Sequence, residues 1–335
     1  MYLTQGLHRA RQRHPDKVAL RHIGADGSAH GQTFAPLVDA IARQAAALRA
    51  HGVGHGDRVA LLAPNSDTLV IALYACWWLG AVACPLNIRW SVPELRDGLA
   101  DCAAKLLIAD AACAASAGAL RDVCTVWSTG ELAERAQRCV PCDDTRTGGD
   151  ALAAILYTGG TTGRSKGVML SHANFWSAAV VRGAELPNSP DSVTLLVAPL
   201  FHVAGLGRLI GQSLVGGTWV TMAQFRPDAV IAAIEAHGIR DTIVVPSMLQ
   251  LLLDAPGFTP ERVRNLNRLA FGAAPMPPDL LERALATWPH AEFFQAYGLT
   301  ETAGAVCINL PENHRAAAGG RVASVGRAGW FAQGW

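Results

Sequence analysis

Ala154-Ile155-Leu156-Tyr157-Thr158-Gly159-Gly160-Thr161-Thr162-Gly163-Arg164-Ser165-Lys166-Gly167 begins as an apolar strand and ends as a loop. From Thr158 onward every residue is glycine, hydroxyl-bearing or basic. The four glycines let the backbone turn tightly and approach an anion closely. Thr158, Thr161, Thr162 and Ser165 supply hydroxyl donors, and Lys166 adds a point charge suited to phosphate. Successive backbone N–H groups in such a turn form an anion nest. The spacing is not that of a Walker A loop, because neither Gly159 nor Gly160 has Gly-Lys at the required offset. A plain Gly/Thr-rich surface turn is the bland alternative, and the unbroken composition argues against it.

Outward from this strand and loop, apolar runs of strand length alternate with helical patterns. Asp57 to Leu62 reads as a strand after the turn Gly54-His55-Gly56, and the amphipathic stretch Phe34 to His51 before it reads as a helix. Further strands are expected at Leu106 to Asp110, Ala151 to Thr158, Val193 to Ala198, Gly217 to Met222, Asp241 to Pro246, Leu269 to Gly272 and Ala291 to Tyr297. Ser171 opens a helix running from His172 to Glu185, Pro227 and Asp228 open one to His237, and Pro277-Pro278-Asp279 one to Trp288. Such βα alternation predicts an α/β fold with parallel-rich sheets covered by helices on both faces. Gly118 to Gly149 is the most polar stretch and reads as an excursion or a seam between two halves.

The chain has 335 residues, 28 Lys+Arg against 27 Asp+Glu, half hydrophobic residues and 16% charged ones. That excludes a disordered protein, and the near-zero net charge argues against nucleic acid as the main partner. Leu69 to Leu86 carries no charge, but Gly80 and Pro85 interrupt it. We expect a buried helix ending near Gly80, then a short strand from Ala81 to Pro85, and no transmembrane segment. The N-terminus lacks the apolar core of a secretory signal. Eight scattered cysteines suit a reducing cytoplasm, and the lone CxxC of Cys139 and Cys142 is read as chance spacing.

The loop Thr158 to Val168 resembles the phosphate loop of the adenylate-forming (AMP-binding) superfamily, with Gly159 in place of a Ser and Ser165 in place of a Pro. Phe201-His202-Val203-Ala204-Gly205 is similar to that family's motif beside the acyl pocket. Phe271-Gly272-Ala273-Ala274-Pro275 resembles the segment lying along adenine, and Gln295-Ala296-Tyr297-Gly298-Leu299-Thr300-Glu301-Thr302 the motif that stacks on adenine and reaches Mg²⁺ and phosphate. Pro85-Leu86-Asn87-Ile88-Arg89 fits the acyl-CoA synthetase (carboxylate–CoA ligase) branch, and the resemblance covers about residues 10 to 327.

The resemblance implies the large-domain fold of these enzymes, with ATP, Mg²⁺ and CoA as cofactor and substrates and a fatty or aryl carboxylic acid as partner. Thr158, Gly159, Gly160, Thr161, Thr162, Gly163 and Lys166 would hold phosphates, and Glu301 would hold Mg²⁺ beside Thr300. Gly272, Ala273, Ala274, Tyr297 and Gly298 would frame adenine, and His202 would flank the acid. Read singly, His202 is a packing histidine or a pocket residue, Tyr297 a core aromatic or a ligand platform just past a strand, and Glu301 a first-turn helix acid or a metal ligand. The tail from Ala328 to Trp335 does not resemble the family continuation, so the fold is expected to be incomplete at its C-terminus. Nothing there matches the ribose-binding Asp, the hinge or the lid Lys. Two readings follow: a lid-less ligase domain, and a truncated non-catalytic remnant that binds nucleotide or acyl ligand. An unfinished domain also exposes apolar surface, which favours self-association.

Overall fold

A computed structural model describes residues 1–159, 165–314 and 324–329. Strand β1 (Val18–Ile23) pairs antiparallel with β2 (Ala29–Thr33). β3 (Arg58–Leu62), β4 (Val82–Pro85), β5 (Leu106–Ala109), β6 (Thr125–Ser128) and β7 (Leu152–Thr158) run parallel, and β8 (Lys166–Ser171) adds antiparallel to β7. Their order across the sheet is β6-β5-β3-β4-β7-β8. The second sheet takes β9 (Val193–Leu196), β10 (Thr218–Met222), β11 (Asp241–Val244), β12 (Arg268–Gly272), β13 (Glu292–Leu299), β14 (Gly304–Asn309) and β15 (Arg327–Ala328). With β1 and β2 its order is β15-β14-β13-β12-β11-β9-β10-β1-β2, and the run from β1 to β13 is parallel.

Continuous apolar runs become strands here because helices cover both faces of each sheet. β4, β5 and β10 are buried at every residue, as parallel strands between helical layers should be. The Leu69 to Leu86 stretch divides as its glycine and proline dictate, into the helix Asp67–Trp78 and strand β4. Ser66 caps that helix by accepting a bond from Leu69 N at 3.1 Å. Its two tryptophans spend their indole N–H groups inside the core, Trp77 on Ala153 O at 3.0 Å and Trp78 on Cys142 O at 2.8 Å. Among the described residues no helix is long and apolar enough to cross a membrane.

The polar stretch 118–149 supplies the edge strand β6 and the helix Thr129–Gln137, which packs on the helix Phe34–Ala50. Within it, Cys139 Sγ donates to Arg135 O and Cys142 Sγ to Ala42 O, so the two thiols of the CxxC go to separate backbone carbonyls.

His172 begins the helix that follows β8 and is fully buried, with neither ring nitrogen hydrogen-bonded. Burial, only partly opposed by Asp144, lowers its pKa from 6.5 to about 4. The unfolded chain therefore takes up a proton that the folded one refuses, so stability should fall as pH drops from 6.5 towards 4. The loss should reach about 3 kcal/mol. Urea titrations across that range check this, and His172→Phe should flatten the acid limb.

Candidate active site

Because the parallel strands of each sheet share one direction, their carboxyl ends gather along one edge, where α/β folds place ligands. Asn65, just after β3, joins the two edges. Its Nδ2 donates to Leu196 O at 3.0 Å and Ala198 O at 2.9 Å, and its Oδ1 accepts from Leu200 N at 2.9 Å. One buried amide thus fixes the chain between the end of β9 and His202. Asn65→Ala strands one donor and two acceptors in a buried setting, and should cost about 2–3 kcal/mol in urea unfolding.

His202 lies at the N-terminus of the helix Val203–Val215, exposed and tilted against Phe201 with ring centroids 4.7 Å apart. Partial desolvation, and secondly the Arg89 guanidinium beyond β4, hold its pKa below the ordinary histidine value, so the ring is neutral at pH 7. Gly205 is required by close packing: a β-carbon there would stand 2.3 Å from Pro199 O and 2.6 Å from Ala198 O.

In the phosphate loop, Gly160, Thr161, Thr162 and Gly163 lie outside the described residues. Thr158 and Lys166 face each other in register where the loop leaves β7 and enters β8. Lys166 and Gly159 are exposed and Thr158 is half-buried. Lys166 and Gly167 therefore belong to a strand, which corrects the expectation that the loop extends through them. Below them Tyr157 anchors the platform, its hydroxyl 2.8 Å from Asp101 Oδ2 and 2.9 Å from Gly98 O.

Thr300–Thr302 forms a single 3-10 turn that lies against β8, bringing the Glu301 segment beside the Lys166 strand. Thr302 Oγ1 closes the turn by accepting from Leu299 N at 2.9 Å, and Glu301 points into solvent. Glu301 is thus not a first-turn residue of an α-helix, and no macrodipole of useful length acts on it. Tyr297 is also placed differently from expectation. It sits within β13, opposite Cys307 and next to a bulge, with 48% of its surface exposed. The strand continues past it because Gly298 allows β14 to close in: a β-carbon there would lie 1.9 Å from Gly304 O. Gly272 ends β12 under similar constraint, since a β-carbon there would lie 2.4 Å from Ala296 O, and Ala273 then adopts φ +66°. Ala273 and Ala274 are exposed, so their turn offers backbone to solvent beside Tyr297.

The structure therefore places Thr158, Gly272 and the Thr300–Glu301 turn at or just past the carboxyl ends of strands, His202 beyond the end of β9, and Lys166 opposite Thr158 at the start of the antiparallel β8. Asn65, Tyr157 and Asp101 hold these segments in place; nothing local in the sequence distinguishes them, because each acts on partners distant in the chain.

The AMP-binding enzyme family matches residues 7–332. The chain belongs to that family. It is 39% identical over 305 residues to the feruloyl-CoA synthase of Amycolatopsis sp, covering 88% of this chain and 58% of that protein. It is 33% identical over 344 residues to the indoleacetate–CoA ligase of Aromatoleum aromaticum, covering 98% and 65%. The chain thus spans only 58% and 65% of these relatives' lengths. The N-terminal domain of FACL13 from Mycobacterium tuberculosis superimposes with a TM-score of 0.88 at 32% identity, over 98% of this chain and 83% of that one. The o-succinylbenzoate CoA synthetase of Bacillus subtilis, in complex with its acyl-adenylate intermediate, gives 0.85 at 29% identity, over 97% and 64%. The fold of this AMP-binding chain is that of the adenylate-forming N-terminal domain.

Proposed function

We propose that this AMP-binding chain is the large domain of an ATP-dependent carboxylate–CoA ligase, which activates a fatty or aryl carboxylic acid as acyl-adenylate before thioester formation with CoA. The observation that supports this reading is the packing of the Thr300–Thr302 turn, which contains Glu301, against β8, the strand that begins at Lys166. In the first half-reaction a carboxylate oxygen attacks the α-phosphorus of ATP and pyrophosphate leaves; in the second a thiol displaces AMP. The first half needs charge stabilisation on phosphate oxygens rather than a protein nucleophile.

Lys166, with Thr158, Gly159 and the loop residues Gly160, Thr161, Thr162 and Gly163, would bind the β- and γ-phosphates. Thr300 would contact the α-phosphate. Gly272, Ala273, Ala274, Tyr297 and Gly298 would frame the adenine. Neutral His202 would flank the acid, and the positive field of Arg89 favours an incoming carboxylate. Magnesium is commonly held by one or two carboxylates plus substrate phosphates, and exposed Glu301 fits that role. Among the described residues no cluster of three or more His, Cys, Asp or Glu stands together. A divalent cation held at Glu301 would neutralise phosphate charge.

The relatives' names include feruloyl-CoA synthase, indoleacetate–CoA ligase and long-chain-fatty-acid–CoA ligase, which supports aryl and fatty acids alike. All eight cysteines are free thiols, in keeping with a reducing cytoplasm. The reading predicts that Mg·ATP at about 100 times its Kd stabilises the chain by about 2.7 kcal/mol. Thermal melts with and without chelator test this. An Mg·ATP-independent melting temperature would contradict it.

A further inference from the structure

Strand β4 carries Cys84 into the core, and the helix Val92–Asp101 ends on Cys102. Both side chains belong to one apolar cluster with Ile155 and Tyr157 of β7, Cys84 fully buried and Cys102 4% exposed. The two thiols are hydrogen-bonded to each other. Their backbone contacts are weak and local: Cys84 Sγ is 3.9 Å from Val82 O, and Cys102 Sγ is 3.7 Å from Leu99 O. By contrast Cys139 and Cys142, close in sequence, turn to separate carbonyls.

The turn that carries Cys102 is held from two sides. Ala103, directly after it, adopts φ +46°, a left-handed conformation that costs a residue with a β-carbon. Arg58 of β3 fixes this turn, donating from Nε to Cys102 O at 2.8 Å and from Nη2 to Ala103 O at 3.1 Å. Tyr157 braces the same helix end through Gly98 O and Asp101 Oδ2. Within the pair Cys84 is the donor. Its bond pushes the Cys84 pKa well above the ordinary thiol value and, against desolvation, holds the Cys102 pKa below it. A thiolate is the form that oxidants attack, and an adjacent thiol resolves the product.

We propose that Cys84 and Cys102 are a redox couple, oxidised by a peroxide to an internal disulfide that a small thiol reverses. Cys102 reacts first, because it gives up its proton more readily and lies at a helix end flanked by the exposed Asp101 and Ala103. Its sulfur attacks one oxygen of hydrogen peroxide: the S–O bond forms, the O–O bond breaks, and the other oxygen leaves as water with the thiol's proton. Cys84 sulfur then attacks Cys102 sulfur: the S–S bond forms, the S–O bond breaks, and the hydroxyl leaves as water with the Cys84 proton. The two thiols lose two electrons in all, and one peroxide becomes two waters. Two molecules of a small thiol restore the pair and become a disulfide themselves.

The test treats the folded, reduced 335-residue chain with hydrogen peroxide, blocks remaining thiols by alkylation, and maps tryptic peptides without reductant by mass spectrometry. The expected result is a peptide linking Cys84 to Cys102, lost after dithiothreitol. In Cys84→Ser, which lacks the resolving thiol, dimedone should trap a sulfenic acid at Cys102. In Cys102→Ser, Cys84 should stay reduced. The wild-type map needs no variant, so it decides even if a serine variant does not fold. A wild-type chain with no Cys84–Cys102 link, a link that forms only in urea, or a Cys139–Cys142 link in its place would overturn the proposal. So would a dimedone adduct on Cys84 of Cys102→Ser.

Discussion

Lys166→Ala is expected to lower acid-dependent ATP–pyrophosphate exchange by ~100- to 1000-fold, the range seen when one preorganised charge-stabilising donor is lost. The reasoning starts from its place. Lys166 is the first residue of β8, exposed and in register with Thr158, so a cation stands where the glycine-rich segment joins the sheet. Exposure also means that folding should hardly notice the change, with stability altered by no more than about 0.5 kcal/mol. The expected signature is therefore an unchanged urea midpoint with most of the Mg·ATP stabilisation gone. Parallel measurement of exchange and unfolding checks both halves, and an unaltered ATP-induced shift would refute the phosphate role.

Asp241→Ala should act in the opposite manner, costing about 3–5 kcal/mol of stability by leaving the Arg208 guanidinium buried without its partner. The two side chains are 5% and 3% exposed, and Thr194 Oγ1 donates a further bond to Asp241 Oδ1 at 3.2 Å. This pair fixes the helix Val203–Val215 to the start of β11, and so steadies the wall that also carries His202 and Gly211. Replacing both partners together, Arg208→Met with Asp241→Leu, should recover most of the loss, because the cost comes from the orphaned charge. Urea unfolding of the single and double variants decides; a single-variant loss below about 1 kcal/mol would mean that water relieves the guanidinium.

Much of the fold was legible because parallel strands buried on both faces must be apolar throughout. Leu106–Ala109 follows that rule closely, whereas Asp241–Val244 opens on a charged residue that only its ion pair with Arg208 allows to be buried. Helix starts were legible where a short polar residue caps them, as Ser171 does by accepting from Asn174 N at 3.2 Å. β8 was not, since only Leu170 of its six residues is buried and it follows directly on a glycine-rich loop. β14 escaped for a related reason: it depends on the reversal at Ala303 and Gly304, with φ of +56° and +123°. At the site, each motif could be placed on a strand end, but the convergence of β8 with the Thr300–Thr302 turn could not. Asn65 carries no local signal at all, for its role arises from what lies opposite it in space.

The central claim is that this domain binds ATP and uses it to activate a carboxylic acid. Acid-dependent exchange of labelled pyrophosphate into ATP, with Mg²⁺ and the purified 335-residue chain, measures that step directly. The panel should hold fatty and aryl acids. The account predicts exchange with at least one of them, abolished by Lys166→Ala. A folded chain that shows neither exchange with any acid nor stabilisation by Mg·ATP would contradict it.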